Sequence, residues 1–149
     1  MIKIYFLNFC HKGTNSITPW LYNSVLIFRR MKIIVVFHKE FLEEFWSLPE
    51  TVQDSILARV ALIETFGQTL GRHFVDHLKG SKFANMKELR FESRGGVWRL
   101  AFAFDPLRNA VLLVAADKRG KNQINFYTTL IKKADVRFEQ HLNSIKNSK

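Results

Sequence analysis

The chain has 149 residues, 47 % hydrophobic and 13 % aromatic with 14 phenylalanines, which excludes a disordered polypeptide and suits one domain with an unstapled core. A net charge of +10 and an isoelectric point near 10.0 point to a polyanion such as RNA or DNA, or to an acidic protein partner. The single cysteine, Cys10, excludes an internal disulfide framework and a cysteine-rich metal site, and suits a reducing, cytoplasmic setting.

Residues 1–30 carry Lys3, Lys12, Arg29 and Arg30 and no acidic side chain. Their apolar runs, Ile4 to Leu7 and Trp20 to Phe28, are interrupted by Asn, Gly, Lys and Pro and fall short of the ~20 residues a membrane span needs. A secretory signal would want a longer apolar core and a small-residue cleavage site. Residues 1–30 are therefore expected to be an extension outside the fold, with Met31 the expected start and 31–149 the domain.

From Met31 the elements follow in order. Ile33 to Phe37 is a β-branched and aromatic run expected to be a strand covered on both faces. A short helix over about His38 to Ser47 follows, with Phe41, Phe45 and Leu48 at helical spacing. Pro49 suits the first turn of a second helix whose stripe is Val52, Ile56, Val60 and Ile63, ended by Gly67. Together these two make an αα-hairpin.

Thr69 to Asn85 is a mixed connection carrying Arg72, His73, His77, Lys79 and Lys82, long enough to suggest a binding role. His73, Asp76 and His77 have the spacing of a metal pair if helical, but no third ligand is evident, so no metal is expected.

Next comes a β-hairpin. One register, with a four-residue loop at 93–96, sets Phe91 opposite Trp98, Leu89 opposite Leu100 and Arg90 opposite Arg99. Another uses Gly95-Gly96 as a two-residue loop and pairs Glu92 with Arg99 as a surface salt bridge. In either, the large apolar residues share one face, and Glu88, Arg90, Val97, Arg99, Ala101 and Ala103 share the other. Like charges directly opposed destabilise a strand pair, so an arginine pair beside two alanines reads as a cradle for an anion.

Asp105-Pro106-Leu107-Arg108-Asn109 has the chemistry of a turn. Ala110 to Ala116 reads as an internal strand. From Lys121 on, Ile124, Tyr127, Ile131, Ala134, Phe138, Leu142 and Ile145 keep helical spacing. The segregated runs predict an α+β domain in which helices cover one face of a mainly antiparallel four-stranded sheet. The face bearing Arg90 and Arg99 is expected to be bare.

Cutting RNA without a metal requires activating a 2′-hydroxyl, stabilising charge on the phosphate and protonating the leaving oxygen. Glu88 is a candidate base, or a mere counter-ion, and Arg90 and Arg99 are candidate phosphate clamps. Lys118, Arg119 and Lys121 follow the last strand, where a loop can lean over the same face or stand as a solvated turn. Lys79, Lys82 and Lys87 are further candidate RNA contacts. No Gly-rich phosphate loop, Walker lysine or nucleophile elbow is present, and no cofactor is expected.

The succession Leu70-Gly71-Arg72, Leu78-Lys79-Gly80-Ser81, Asn85-Met86-Lys87-Glu88-Leu89-Arg90, Trp98-Arg99-Leu100-Ala101-Phe102-Ala103-Phe104-Asp105-Pro106 and Ala116-Asp117-Lys118 resembles the RelE/ParE superfamily of toxin–antitoxin toxins. It is most similar to the HigB-like, phage-derived branch, from about Met31 to Leu142. The resemblance implies a RelE-like α+β fold with an N-terminal strand, a helical hairpin on the sheet and a C-terminal helix. It implies a toxin that cleaves mRNA, often on the ribosome, silenced by a helix-turn-helix antitoxin. On its motifs, Arg99 matches a basic residue near the scissile phosphate, Lys118 and Arg119 match a basic cluster after the last strand, and Tyr127 falls where some members place a functional tyrosine. The ParE side of the superfamily implies the alternative, a protein-binding gyrase poison. An inactive, antitoxin-bound regulator is the third reading.

Overall fold

In chain order the elements are β1 (Val35–Phe37), α1 (Lys39–Ser47), α2 (Glu50–Phe66), a 3-10 turn (Gly67–Thr69), β2 (Val75–His77), β3 (Met86–Ser93), β4 (Gly96–Phe104), β5 (Ala110–Asp117) and α3 (Gln123–Asn147). The computed structural model describes residues 32–71 and 73–148. The extension expected over residues 1–30, the expected start at Met31, and Arg72 lie outside the described residues. The sheet order is β1-β5-β4-β3-β2, with β1 parallel to β5 and every other pair antiparallel. This is the α+β architecture expected, with one short strand, β2, added from within the connection.

Local chemistry sets the boundaries. α1 ends at extended Leu48, and Pro49 stands immediately before α2, where its missing N–H leaves nothing unpaired. Gly67 ends α2 at φ +52°, and its N–H donates to the Ile63 carbonyl. The β3–β4 turn is Arg94-Gly95, both at positive φ (51° and 67°), as a two-residue hairpin loop requires. Ser93 therefore pairs with Gly96, Phe91 with Trp98, and Arg90 with Arg99. The opposed-arginine register is the one adopted, with Glu92 paired to Val97 instead of Arg99, but its loop is two residues rather than the expected four because Ser93 and Gly96 extend the ladder.

Two apolar layers sandwich the sheet. On one face Phe41, Phe45, Val52, Ile56 and Ile63 pack against Leu89, Phe91, Leu100, Phe102 and Leu112. On the other, α3 lays Phe126, Leu130, Ala134 and Phe138 over Met86, Ala101, Ala103, Val111, Leu113 and Val114. Helices thus cover both faces, and the face bearing Arg90 and Arg99 is not bare. Ala101 and Ala103, fully buried, are the floor that lets a helix approach closely. A bulge assists: Ala101 pairs with Val114 and Phe102 with Leu112, so Leu113 and Val114 both turn toward α3.

β1 is an edge strand with half-buried residues rather than a strand covered on both sides. Among the described residues its three residues pair only with β5, and the fully buried centre falls on β4 and β5. Arg137, only 3 % exposed, ties α3 to α1. Its guanidinium donates to Glu40 (3.0 Å), to both carboxylate oxygens of Glu44 (2.9 and 2.6 Å) and to the Leu113 carbonyl (2.8 Å).

Candidate functional site

Strand alternation puts Glu88, Arg90, Arg99 and Ala101 on the face that α3 covers, and α3 ends its cover here with Tyr127. Glu88 lies beside the arginine pair and is 2 % exposed. Its Oε1 accepts from Arg90 Nε (2.8 Å) and Nη2 (2.6 Å) and, at 3.4 Å, from the Tyr127 hydroxyl. Its Oε2 lies 3.8 Å from Arg99 Nε, beyond hydrogen-bond reach, and is buried with no hydrogen-bond partner among the described residues. Arg99 Nε donates to the Tyr127 oxygen at 3.3 Å, and its Nη1 donates to the Trp98 carbonyl at 3.0 Å.

Charge repulsion between the opposed arginines is offset by the carboxylate they share. The hydrogen-bonded Glu88 raises the Arg90 pKa above its ordinary value against the effect of burial, and the nearby Asp76 charge adds to this. Arg90 also reaches the Asp76 carboxylate at 3.3 Å, so one guanidinium bridges two carboxylates that β2–β3 pairing sets opposite each other. Arg99 is nearly buried, with a side chain 12 % exposed, whereas Arg90 is 46 % exposed and faces solvent.

A groove of about 390 Å³ opens beside this cluster, lined by Asp76, Lys79, Glu88, Arg90, Ile124 and Tyr127 among others. Lys118 extends its ammonium over the Tyr127 ring, 5.3 Å from the centroid. Glu88, Arg90, Arg99, Lys118 and Tyr127 are therefore one constellation, with Lys79 on the groove wall. Four further expected contacts stand elsewhere. Lys87 alternates to the opposite sheet face, paired with His77 and Phe102. Lys82 pairs with Glu139 at 2.9 Å. Arg119 closes the hairpin tip by donating to the Gly95 carbonyl and pairing with Asp117. Lys121 sits over Phe126 and lines a second groove with Asn125 and Lys133.

Asp76 entered the sequence reading only as a metal candidate, and its contact with Arg90 was missed. The signal was weak, since a three-residue strand is too short for alternation to register. Among the described residues no three His, Cys, Asp or Glu side chains converge as a metal site would require. No helix among them is long and apolar enough to cross a membrane.

Three helices on a five-stranded sheet with this strand order define a RelE-like fold. An arginine-to-alanine double mutant of E. coli toxin RelE in the free state matches it with a TM-score of 0.50 at 15 % identity, over 72 % of this chain and 98 % of that one. The family described as “Phage derived protein Gp49-like (DUF891)” matches residues 43–139, and the chain belongs to that family. Two relatives from Mycobacterium tuberculosis (strain ATCC 25618 / H37Rv) are similar over about two thirds of the chain. “Putative toxin HigB3” is 43 % identical over 100 residues, 67 % of this chain and 85 % of the relative. “Putative toxin HigB2” is 38 % identical over 103 residues, which is 68 % of this chain and about half (51 %) of the relative's length. The chain thus belongs to the Gp49-like family, has the RelE-like fold and is similar to relatives named as HigB toxins.

Proposed function

We propose that this protein is the toxin of a type II toxin–antitoxin pair and that it cuts mRNA without a metal, stopping translation. The observation that carries the reading is the opposed Arg90–Arg99 pair held by Glu88 beside the Tyr127 hydroxyl, at the wall of an open groove. In RNA transesterification the 2′-oxygen attacks the adjacent phosphorus and the 5′-oxygen leaves, giving a 2′,3′-cyclic phosphate and a free 5′-hydroxyl. Preplaced cations stabilise the extra charge on the phosphoryl oxygens, which is the role of Arg90 and Arg99. Tyr127 and Lys118 handle protons. The buried Glu88 holds the arginines in place rather than meeting substrate.

The net charge of +10 favours RNA association, with mRNA on the ribosome as the proposed target. A helix-turn-helix antitoxin is the proposed partner, the setting the cytoplasm, and residues 31–149 the proposed active domain. The test is purified protein incubated with mRNA in EDTA, with and without ribosomes. Cleavage leaving cyclic phosphate ends, absent in Arg99→Ala, is the expected result. Growth arrest with intact mRNA and broken DNA would overturn it in favour of a protein-docking gyrase poison.

A further inference from the structure

β5 is eight residues long, but among the described residues β1 pairs with only its first three, Ala110 to Leu112. Arg137 takes the Leu113 carbonyl. The next stretch, Val114-Ala115-Ala116, keeps β4 on one side and has no strand among the described residues on the other. Ladder parity decides what that open side presents. The Lys118 N–H donates to the Val97 carbonyl, so Arg99 with Ala116 and Ala101 with Val114 are the hydrogen-bonded pairs. Ala115, opposite Leu100, therefore turns its N–H and C=O away from β4, and neither has a partner among the described residues. Natural sheets blunt such edges with charge, proline or a covering element, because an open edge templates pairing with another chain. Val114-Ala115-Ala116 carries neither charge nor proline.

A groove of about 400 Å³ runs between this edge and α3. Phe126 and Leu130 give it an apolar floor, and the exposed Asn125 and Thr129 stand at its rim. Its charges are all of one sign: Lys121 and Lys133 line it and no acidic side chain does. Lys133 is already paired with Glu44 at 2.8 Å. Lys121 lies over the Phe126 ring, 5.7 Å from the centroid, and has no carboxylate partner among the described residues.

We propose that this edge is a docking site for an acidic, extended segment of a partner protein, which adds to the sheet as a strand beside Ala115. A peptide strand supplies a donor and an acceptor to the Ala115 backbone, lays alternate apolar side chains over Phe126 and Leu130, and brings acidic ones to Lys121. A nucleic acid would use the lysine and leave the backbone pair and the apolar floor unused. A second copy of the chain fits poorly for another reason, since each copy carries a net charge of +10.

The experiment uses the full chain and a short fluorescein-labelled peptide of alternating valine and glutamate. Anisotropy reads binding, and NMR reads amide exchange. The peptide is expected to bind and to slow exchange at the Ala115 amide. Methylating every second peptide nitrogen, on the side that faces β5, should weaken binding about tenfold, the scale of two lost backbone hydrogen bonds. Lysine in place of glutamate should weaken it about fivefold or more, and so should Lys121→Glu with the glutamate peptide, the upper end for an exposed ion pair. Lys121 is exposed and stands outside the arginine cluster, and a thermal melt checks that the variant is folded. No binding, or equal binding of plain and methylated peptides or of glutamate and lysine peptides, would overturn the proposal. So would an Ala115 amide already slow in the dilute free chain, which would mean that the chain fills its own edge. Protection that rises with protein concentration alone would assign the edge to a second copy, and protection by single-stranded RNA would assign it to nucleic acid. No readout here depends on RNA cleavage, so the docking edge and the nuclease reading stand or fall separately.

Discussion

Arg90 and Arg99 face each other across the β3–β4 ladder, and the Glu88 carboxylate beside them is what makes that pairing tolerable. Removing one member of a buried charged cluster leaves the others uncompensated and costs about 3–5 kcal/mol. Glu88→Ala is therefore expected to lower unfolding free energy by that order in urea titrations. Arg90→Ala takes away one of two opposed cations and should cost less. If Glu88→Ala were as stable as the parent protein, the carboxylate would have no such role.

Tyr127→Phe separates structure from chemistry. The ring stays beneath Lys118, and only the hydroxyl is lost, with its 3.3 Å bond from Arg99 and its 3.4 Å bond to Glu88. Both bonds are long, so the stability cost should stay near about 1 kcal/mol. RNA cleavage should fall by about a hundredfold or more, the scale of losing a general acid–base group. Single-turnover cleavage with a labelled RNA reads the rate directly, and an undiminished rate would remove Tyr127 from the proton path.

The hairpin was legible in the sequence because three signals agree: alternation on both strands, the Gly-containing turn and the Phe91–Trp98 pairing. The cover over its polar face was not legible. Ala101 and Ala103 fit a shallow exposed cradle as well as they fit the floor under a helix, and only α3 decides between them. The same helix turns Glu88 from an exposed candidate base into a buried counter-ion. β1 looked covered on both faces, but a β-branched run does not say where in the sheet a strand lies. Arg137 was unreadable for a related reason. Its cation is buried only because Glu40 and Glu44 arrive from α1, nearly a hundred residues earlier in the chain.

That α1–α3 bridge sets the acid limb of stability. The hydrogen bond from Arg137, aided by Lys133 and opposed by burial, lowers the Glu44 pKa from 4.5 to about 2. A carboxylate depressed in the folded state contributes stability that is present above its unfolded pKa and lost as pH falls toward the folded value. Burial, with the Arg137 charge second, lowers the His38 pKa below 6.5, so unfolding takes up a proton there first. Stability should begin to decline as pH drops below 6.5 and fall further between 4.5 and about 2. In unfolding titrations across pH, His38→Gln should flatten the upper limb and Glu44→Gln the lower one. Parallel curves for parent and both variants would contradict the assignment.

Gly67 closes α2 in a backbone conformation, φ +52° and ψ −129°, that side chains rarely adopt. A Cβ at this position would stand 2.7 Å from Ile33 Cγ1, so space and backbone both oppose substitution. Strain of this kind costs about 1–3 kcal/mol per residue. Gly67→Ala is expected to lose at least that much and to loosen Ile33, whose N–H donates to the Glu64 carbonyl at 3.0 Å. Gly71 supplies the control, having no positive φ and, among the described residues, nothing within 4 Å of where an alanine methyl would point. There, replacing glycine restricts the unfolded chain without a steric penalty, so Gly71→Ala should be neutral or slightly stabilising. Thermal unfolding of the two variants side by side tests the contrast, and equal melting temperatures would show that the cap at Gly67 does not constrain the fold.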